Sequence, residues 1–169
     1  MTCKTKVTWT GGSAGGESGP VVSTGRRVMK RYVLPVLAYV IPTFALGYVW
    51  HLILFDSYYK ALQIYREEII VPFGFVSMLI QAAIFAYIFE RVFAGTADGW
   101  LARGLRYAAL GAMLSWSYTT IAVAAKNVMT SVPDYLVIET AFTVVQWLIV
   151  GPLTSLAFEA ARRTRPALS

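Results

Sequence analysis

The sequence predicts an all-α fold, an integral membrane bundle of four helices, and three observations carry that expectation. Residues 32–55 form a run of about 24 residues without a fixed charge, and at ~1.5 Å per residue such a helix crosses a hydrocarbon layer roughly 30 Å thick. Three further apolar runs follow, at about 69–89, 107–125 and 135–158. The hydrophobic fraction is 57% and the mean hydropathy is +0.57, outside the range of a domain that must present a wet surface.

The chain of 169 residues leaves room for one folded unit. Residues 1–25, rich in Gly, Ser and Thr, bury too little surface to offset their ordering entropy and read as a disordered cytoplasmic tail. Residues 26–165 hold the four-span domain, and 166–169 form a C-terminal tail. Lys and Arg number 15 against nine Asp and Glu; because these cations flank the apolar runs, they point to membrane orientation and not to nucleic acid. Cys3 is the single cysteine and His51 the single histidine, so neither a thiolate metal site nor bis-histidine haem ligation is expected. Gly11, Gly12, Gly15 and Gly16 lie outside any strand–loop–helix context and make no phosphate loop. No catalytic, cofactor-binding or metal-binding residue is assigned.

The first span opens behind Arg26, Arg27, Lys30 and Arg31, with Pro35 in its first turn and Pro42 at a depth where a bend is expected. Residues 56–68 carry Tyr58, Tyr59, Leu62 and Tyr65 at helical spacing among charged residues, the pattern of a short interfacial helix. The second span holds Pro72 in its first turn and Gln81 near its middle. Residues 92–106 read as a join with turn signals at Gly95, Asp98 and Gly99, then interfacial Trp100, Leu101, Arg103 and Arg106.

Small residues crowd the third span. Gly104, Ala108 and Ala112 recur every four residues, as do Gly111, Ser115 and Thr119, so two adjacent faces permit close helix approach. Ser131 and Asp134 have capping-box spacing and Pro133 suits a first turn, which places the start of the fourth helix there. Gly151 and Pro152 predict a second bend, with Thr154 and Ser155 placed to satisfy a freed carbonyl.

With the N-terminus cytoplasmic, Lys4, Lys6, Arg26, Arg27, Lys30, Arg31, Arg91, Arg103, Arg106, Arg162, Arg163 and Arg165 lie inside, and only Lys60, Arg66 and Lys126 lie outside. Both termini are therefore expected in the cytoplasm. In this register Thr43, Gln81, Ser115, Ser117 and Gln146 fall near the midplane, where each is expected to point inward and bond another. The readings of this layer are interhelical glue, or a polar passage or small-molecule pocket. His51, Lys126 and Glu139 form a second layer toward the outside. An intramembrane carboxylate demands a partner, so a Lys126–Glu139 ion pair is expected with His51 beside it, against the alternative that Glu139 and Lys126 only reach for the interface. Glu159 with Arg163, and Glu90 with Arg91, Arg103 or Arg106, read as solvated pairs.

Gly47, Trp50, His51 and Phe55, followed by Tyr58 or Tyr59 and Leu62, resemble a first-span motif of a family of bacterial four-helix membrane proteins of unknown function. Glu139, Gln146 and Gly151 are similar to features of that family's last helix. The resemblance implies the four-span architecture and a bacterial inner-membrane location, carries no activity, and adds weight to the motif residues as a site. The two close-packing faces of the third span motivate the functional expectation: a non-enzymatic accessory or scaffold subunit that packs with itself or with a larger membrane complex. The alternative is a small oligomeric transporter or ligand-binding membrane protein using the midplane layer and the His51 cluster. An enzyme acting on lipids is the third reading.

Overall fold

The structure, a computed structural model, describes residues 22–66 and 68–163, with side chains from residue 31 onward. The described residues are all-helical and include four helices long and apolar enough to cross a membrane: Arg31–Leu54, Val71–Phe93, Trp100–Lys126 and Val132–Arg163. The first span belongs to α1 (Val22–Val49), which continues into a π-helical turn at Trp50–Leu54. A short helix, α2 (Asp56–Leu62), follows. The second span is α3 (Val71–Ile88) with a π turn at Phe89–Phe93. The third runs through α4 (Trp100–Ser115), a π turn at Trp116–Ile121 and α5 (Ala122–Lys126), and the fourth is α6 (Val132–Arg163). Of residues 1–25, expected as a tail, Val22–Gly25 open α1 and the rest lie outside the described residues, as does the C-terminal tail 166–169.

Several boundaries differ from the sequence reading: α1 opens at Val22, and the second span runs on through Glu90 and Arg91 to Phe93. Trp100, Arg103 and Arg106 begin the third helix instead of ending a join. Gly104 in its second turn lies against Gly151 and Pro152, where a Cβ would come within 2.6 Å of Pro152 Cα; the helix thus includes the charged residues, with Arg106 reaching out to Asp98 and Arg103 turned in toward Glu159. The fourth helix likewise continues beyond Phe158 to Arg163. Its start follows the cap, with Ser131 Oγ accepting the Asp134 N–H at 3.4 Å. The bends expected at Pro42 and Pro152 interrupt neither helix. Ser155 does not serve its own helix either. Its hydroxyl donates to the Trp100 carbonyl at 2.7 Å across to the third span, and Thr154 Oγ1 is buried without a hydrogen bond among the described residues.

The fourth helix packs on α4 and on α1, and α1 packs in turn on α3. The bundle closes through rings. Tyr39, Phe85, Tyr107 and Trp147, one from each span, meet with centroid distances from 4.8 Å for Phe85–Trp147 to 6.4 Å for Phe85–Tyr107. All four are buried, and edge-to-face rings add roughly 0.5–1.5 kcal/mol per pair beyond the area they bury. Around this centre the outward faces stay apolar: Ile41, Phe73, Met113 and Val137, one per span, are exposed large hydrophobics. In a bundle of spanning helices such faces are solvated by lipid.

Both small-residue faces of the third span meet the fourth, at Gly104 and Ala108 on one and at Gly111 and Ser115 on the other. Gly104 and Ala108 receive Gly151 and Pro152, and a Cβ on Gly151 would come within 2.6 Å of both Ala108 Cβ and the Gly104 carbonyl oxygen. Gly111 receives the Trp147 ring at a distance that leaves no room for a Cβ, and Trp147 Nε1 donates to Ser115 Oγ at 2.7 Å. Ala112 packs against the core. Thr119 departs from the expected face: it is exposed and donates to the Ser115 carbonyl one turn back.

Candidate functional site

The candidate site lies at the end of the bundle away from the chain termini, where α2 folds back over the helix ends. Asp56 in the first turn of α2 complements the helix dipole. The helix stops at Gln63, which adopts the left-handed conformation with φ 57°. Thr130, from the join between the third and fourth spans, holds that end: its N–H donates to the Leu62 carbonyl at 3.1 Å and its hydroxyl to the Ala61 carbonyl at 2.9 Å. Thus anchored, α2 buries Tyr59 and Leu62 against Tyr135 and Ile138 of the fourth helix.

Glu139 is buried, and its partners differ from those expected. Tyr59 OH donates to Glu139 Oε1 at 2.7 Å, and His51 Nε2 lies 3.2 Å from the same oxygen. Lys126 is exposed and forms no ion pair with Glu139. It sits at the outer end of α5, whereas Glu139 lies about two turns inside α6, and a flexible ammonium gains more from water than from that depth. Nor does Glu139 reach for the interface, because Tyr59 and His51 satisfy it where it stands.

Hydrogen-bond chemistry fixes the protons of this pair. His51 Nδ1 lies 2.9 Å from the Gly47 carbonyl oxygen. A carbonyl only accepts, so Nδ1 carries hydrogen. The contact between Nε2 and Glu139 Oε1 then needs a proton between them, either on an imidazolium facing a carboxylate or on a carboxylic acid facing neutral imidazole. In both forms the pair has no net charge, which suits its depth. Tyr59 remains a donor: burial first, and the Glu139 carboxyl second, hold its phenol above the ordinary value. Burial, with Glu139 and Tyr135, does the same to Tyr65. Tyr65 stacks on Tyr59 at 5.2 Å, and Phe142 meets the His51 ring edge-on at 4.5 Å.

A cavity of about 270 Å³ opens on the other side of His51, between the first and second spans. Phe44, Gly47, Tyr48, Leu52, Phe75 and Met78 are among its walls, with Tyr65 and Gly74. Gly47 and Gly74 have no heavy atom within 4 Å of the position a Cβ would take, so the two glycines leave open space where side chains would stand. Of the motif residues, Gly47 and His51 border the cavity, while the Trp50 ring lies tilted against Phe55 at 4.7 Å. The π turn Trp50–Leu54 contains His51, and such turns recur at functional sites because they re-aim a side chain by one position.

The midplane layer divides into separate pairs. Gln146 Nε2 donates to Thr43 Oγ1 at 3.4 Å, joining the fourth and first spans. Gln81 accepts from Tyr39 OH at 3.2 Å and donates to Ser77 Oγ at 3.1 Å. Ser115 accepts from Trp147 and donates to the Gly111 carbonyl. Ser117 does not point inward: it is exposed and donates to the Leu114 carbonyl of its own helix, which satisfies a hydroxyl facing lipid. The sequence reading missed Tyr39, Trp147 and Tyr59 as the partners. A buried polar side chain seeks the nearest donor or acceptor, and phenol and indole groups count as such even where hydropathy counts them as apolar.

At the terminal end Glu90 pairs with Arg31 of the first span, instead of Arg91, Arg103 or Arg106. Arg106 pairs with Asp98 at 2.5 Å, and Glu159 with Arg163 at 2.6 Å as expected. Among the described residues no group of three or more His, Cys, Asp or Glu side chains is placed to hold a metal ion. No family model matches the chain, and no curated protein and no solved structure matches it.

Proposed function

We propose that the chain is a multi-pass protein of a bacterial inner membrane, with both termini cytoplasmic, that binds a small neutral amphiphile in the cavity between its first and second spans. One observation carries this reading: an open apolar cavity is walled by the single histidine, which is backed by a buried carboxyl and a phenol. At about 270 Å³ the cavity approaches the lower end of the ~300–1,000 Å³ typical of small-molecule sites, and like them it is apolar with a few polar groups. An uncharged head suits it, since the lining is almost wholly apolar and the His51–Glu139 pair has no net charge to offer an ion. The excess of Lys and Arg beside the terminal end supports the orientation, and the first-span resemblance supports the location.

The scaffold expectation drew on the two small-residue faces of the third span. Those faces are used within the chain, so they no longer single out a second protein, and the cavity supports ligand binding better.

The test is extraction of the full chain in mild detergent, followed by mass spectrometry of bound small molecules and displacement by a fluorescent fatty alcohol. Stoichiometric binding is expected, and Gly74→Leu should abolish it at unchanged helicity and with no fall in melting temperature. A wild-type protein that carries no such compound and ignores the added alcohol, or a Gly74→Leu variant that binds like wild type, overturns the proposal. A reporter fused at Ser169 tests the orientation and should be active only inside the cell.

A further inference from the structure

A second cavity, of about 310 Å³, lies at the opposite end, between the end of the second span, the start of the third and the end of the fourth. Phe89 and Phe158 form its apolar side, and Arg103, Arg162 and Arg163 face them with Glu159 as the single carboxylate. The lining therefore carries three cations against one anion. Arg163 donates to Glu159 Oε1 at 2.6 Å, while Arg103 reaches Glu159 Oε2 only at 3.5 Å. Arg162 donates to the Ala94 carbonyl at 2.6 Å, which fixes its stem across the cavity mouth. Arg103 is the cation matched least: it shares Glu159 with Arg163 and meets it only at 3.5 Å, its side chain is 13% exposed, and its Nε is buried without a hydrogen-bond partner among the described residues. A guanidinium enclosed on this scale is costly unless an anion engages its fork, and phosphate oxygens fit that fork bidentately.

We infer that this cavity is a headgroup site for an anionic phospholipid, with Arg103 as its inner anchor and Arg162 and Arg163 at its mouth. The two-charge excess of the lining matches a headgroup with two phosphodiesters better than one with a single negative charge. The rings of Phe89 and Phe158, stacked at 4.7 Å, provide an apolar shelf beside the phosphates. Basic pockets between spanning helices on the cytoplasmic side are where such headgroups bind. This site is separate from the cavity beside His51 and does not depend on what that cavity holds.

Native mass spectrometry of the full chain, released from micelles containing equal amounts of phosphatidylcholine, phosphatidylglycerol and cardiolipin, tests the inference. Retained adducts are expected in the order cardiolipin, phosphatidylglycerol, phosphatidylcholine. Arg103→Gln should lower the cardiolipin adduct about fivefold or more, and Arg162→Gln, at an exposed position, should lower it by a smaller factor. Glu159→Gln removes the competing carboxylate and should raise it. Thermal melting of each variant separates loss of the site from loss of the fold, and the Arg162→Gln result stands if Arg103→Gln fails to fold. Equal retention of the zwitterionic lipid overturns the inference, as does an Arg103→Gln variant that folds and keeps wild-type adducts. Millimolar inorganic phosphate is the last arm: if it displaces cardiolipin completely, the site takes free phosphate and the lipid assignment fails.

Discussion

Two helix interfaces in this bundle use glycine in opposite ways. Between the third and fourth spans, Gly104, Gly111 and Gly151 sit where a Cβ would collide with backbone, with Ala108 or with the Trp147 ring. Between the first and second spans, Gly47 and Gly74 face nothing within 4 Å. The first set lets backbones close together, which is how helices associate where lipid provides no hydrophobic drive. The second set meets no partner across the interface, and the space left where side chains would stand is part of the cavity beside His51. A glycine count alone treats these as one signal. The difference lies in whether another helix has a large residue or a second small one at the same height.

The largest effects should come from the closed interface. Gly111→Ala places a methyl group against Trp147, which is buried among Tyr39, Phe85 and Tyr107 and has nowhere to turn. Gly151→Ala drives a methyl group into Ala108 and the Gly104 carbonyl. Each should cost up to about 3 kcal/mol, the upper part of the usual overpacking range, read as a fall in the midpoint of unfolding in mixed detergent. A stability close to wild type for both variants would mean that the interface is not closed as described.

Next comes the floor of the open interface. Glu139→Leu removes the acceptor shared by Tyr59 and His51 and leaves a buried phenol without a partner, at a cost of about 1–3 kcal/mol. Glu139→Gln keeps an acceptor for Tyr59 and should lose less. Equal losses for the two variants would show that the site responds to shape alone and that the shared proton contributes nothing. The same unfolding measurement applies, with Lys126→Ala, which is exposed and unpaired with Glu139, staying within about 0.5 kcal/mol of wild type.

The contrast also marks what was legible in the sequence. Length, apolar runs and flanking charges sufficed for four spanning helices, because lipid forces all backbone bonding into the helix itself and leaves few alternatives. His51 and Glu139 stood out for the same reason, as polar groups at depth. Their connection did not. Hydropathy places Lys126 and Glu139 beside one join but gives no rotation for either helix, and the π turns at Trp50–Leu54 and Trp116–Ile121 shift the facing of the residues around them in a way that regular helical spacing misses. Tyr59 reads as an interfacial anchor because it recurs at helical spacing with Tyr58, Leu62 and Tyr65 among charged residues, and only the fold of α2 over the bundle turns its hydroxyl inward. The cavity was invisible, since it depends on two glycines distant in sequence reaching the same height.

Gly47→Ala and Gly74→Ala should have the opposite sign from the closed-interface variants. With no atom to meet, the added methyl only restricts the backbone, a gain of roughly 0.5–1 kcal/mol for a helical site. Bound amphiphile should weaken in parallel as the cavity narrows. Destabilisation by both substitutions would place unseen packing against these glycines and remove the contrast on which the ligand site rests.

The smallest effects are a control on the cause of the contrast. Each interface has a part-buried hydrogen bond from an aromatic donor to a polar side chain: Trp147 to Ser115 on the closed side, Tyr39 to Gln81 on the open side. Ser115→Ala and Gln81→Leu delete the acceptors, and interhelical hydrogen bonds of this type are worth about 0.6 kcal/mol on average inside membranes. Both variants should therefore lose similar, small amounts, because water is absent from the unfolded reference state as well and the donors find other partners there. If Gln81→Leu costs several times more than Ser115→Ala, the first and second spans are held by polar bonding in place of close contact. The open space beside His51 would then follow from where Gln81 and Tyr39 fix the two helices, and the absence of side chains at Gly47 and Gly74 would be secondary.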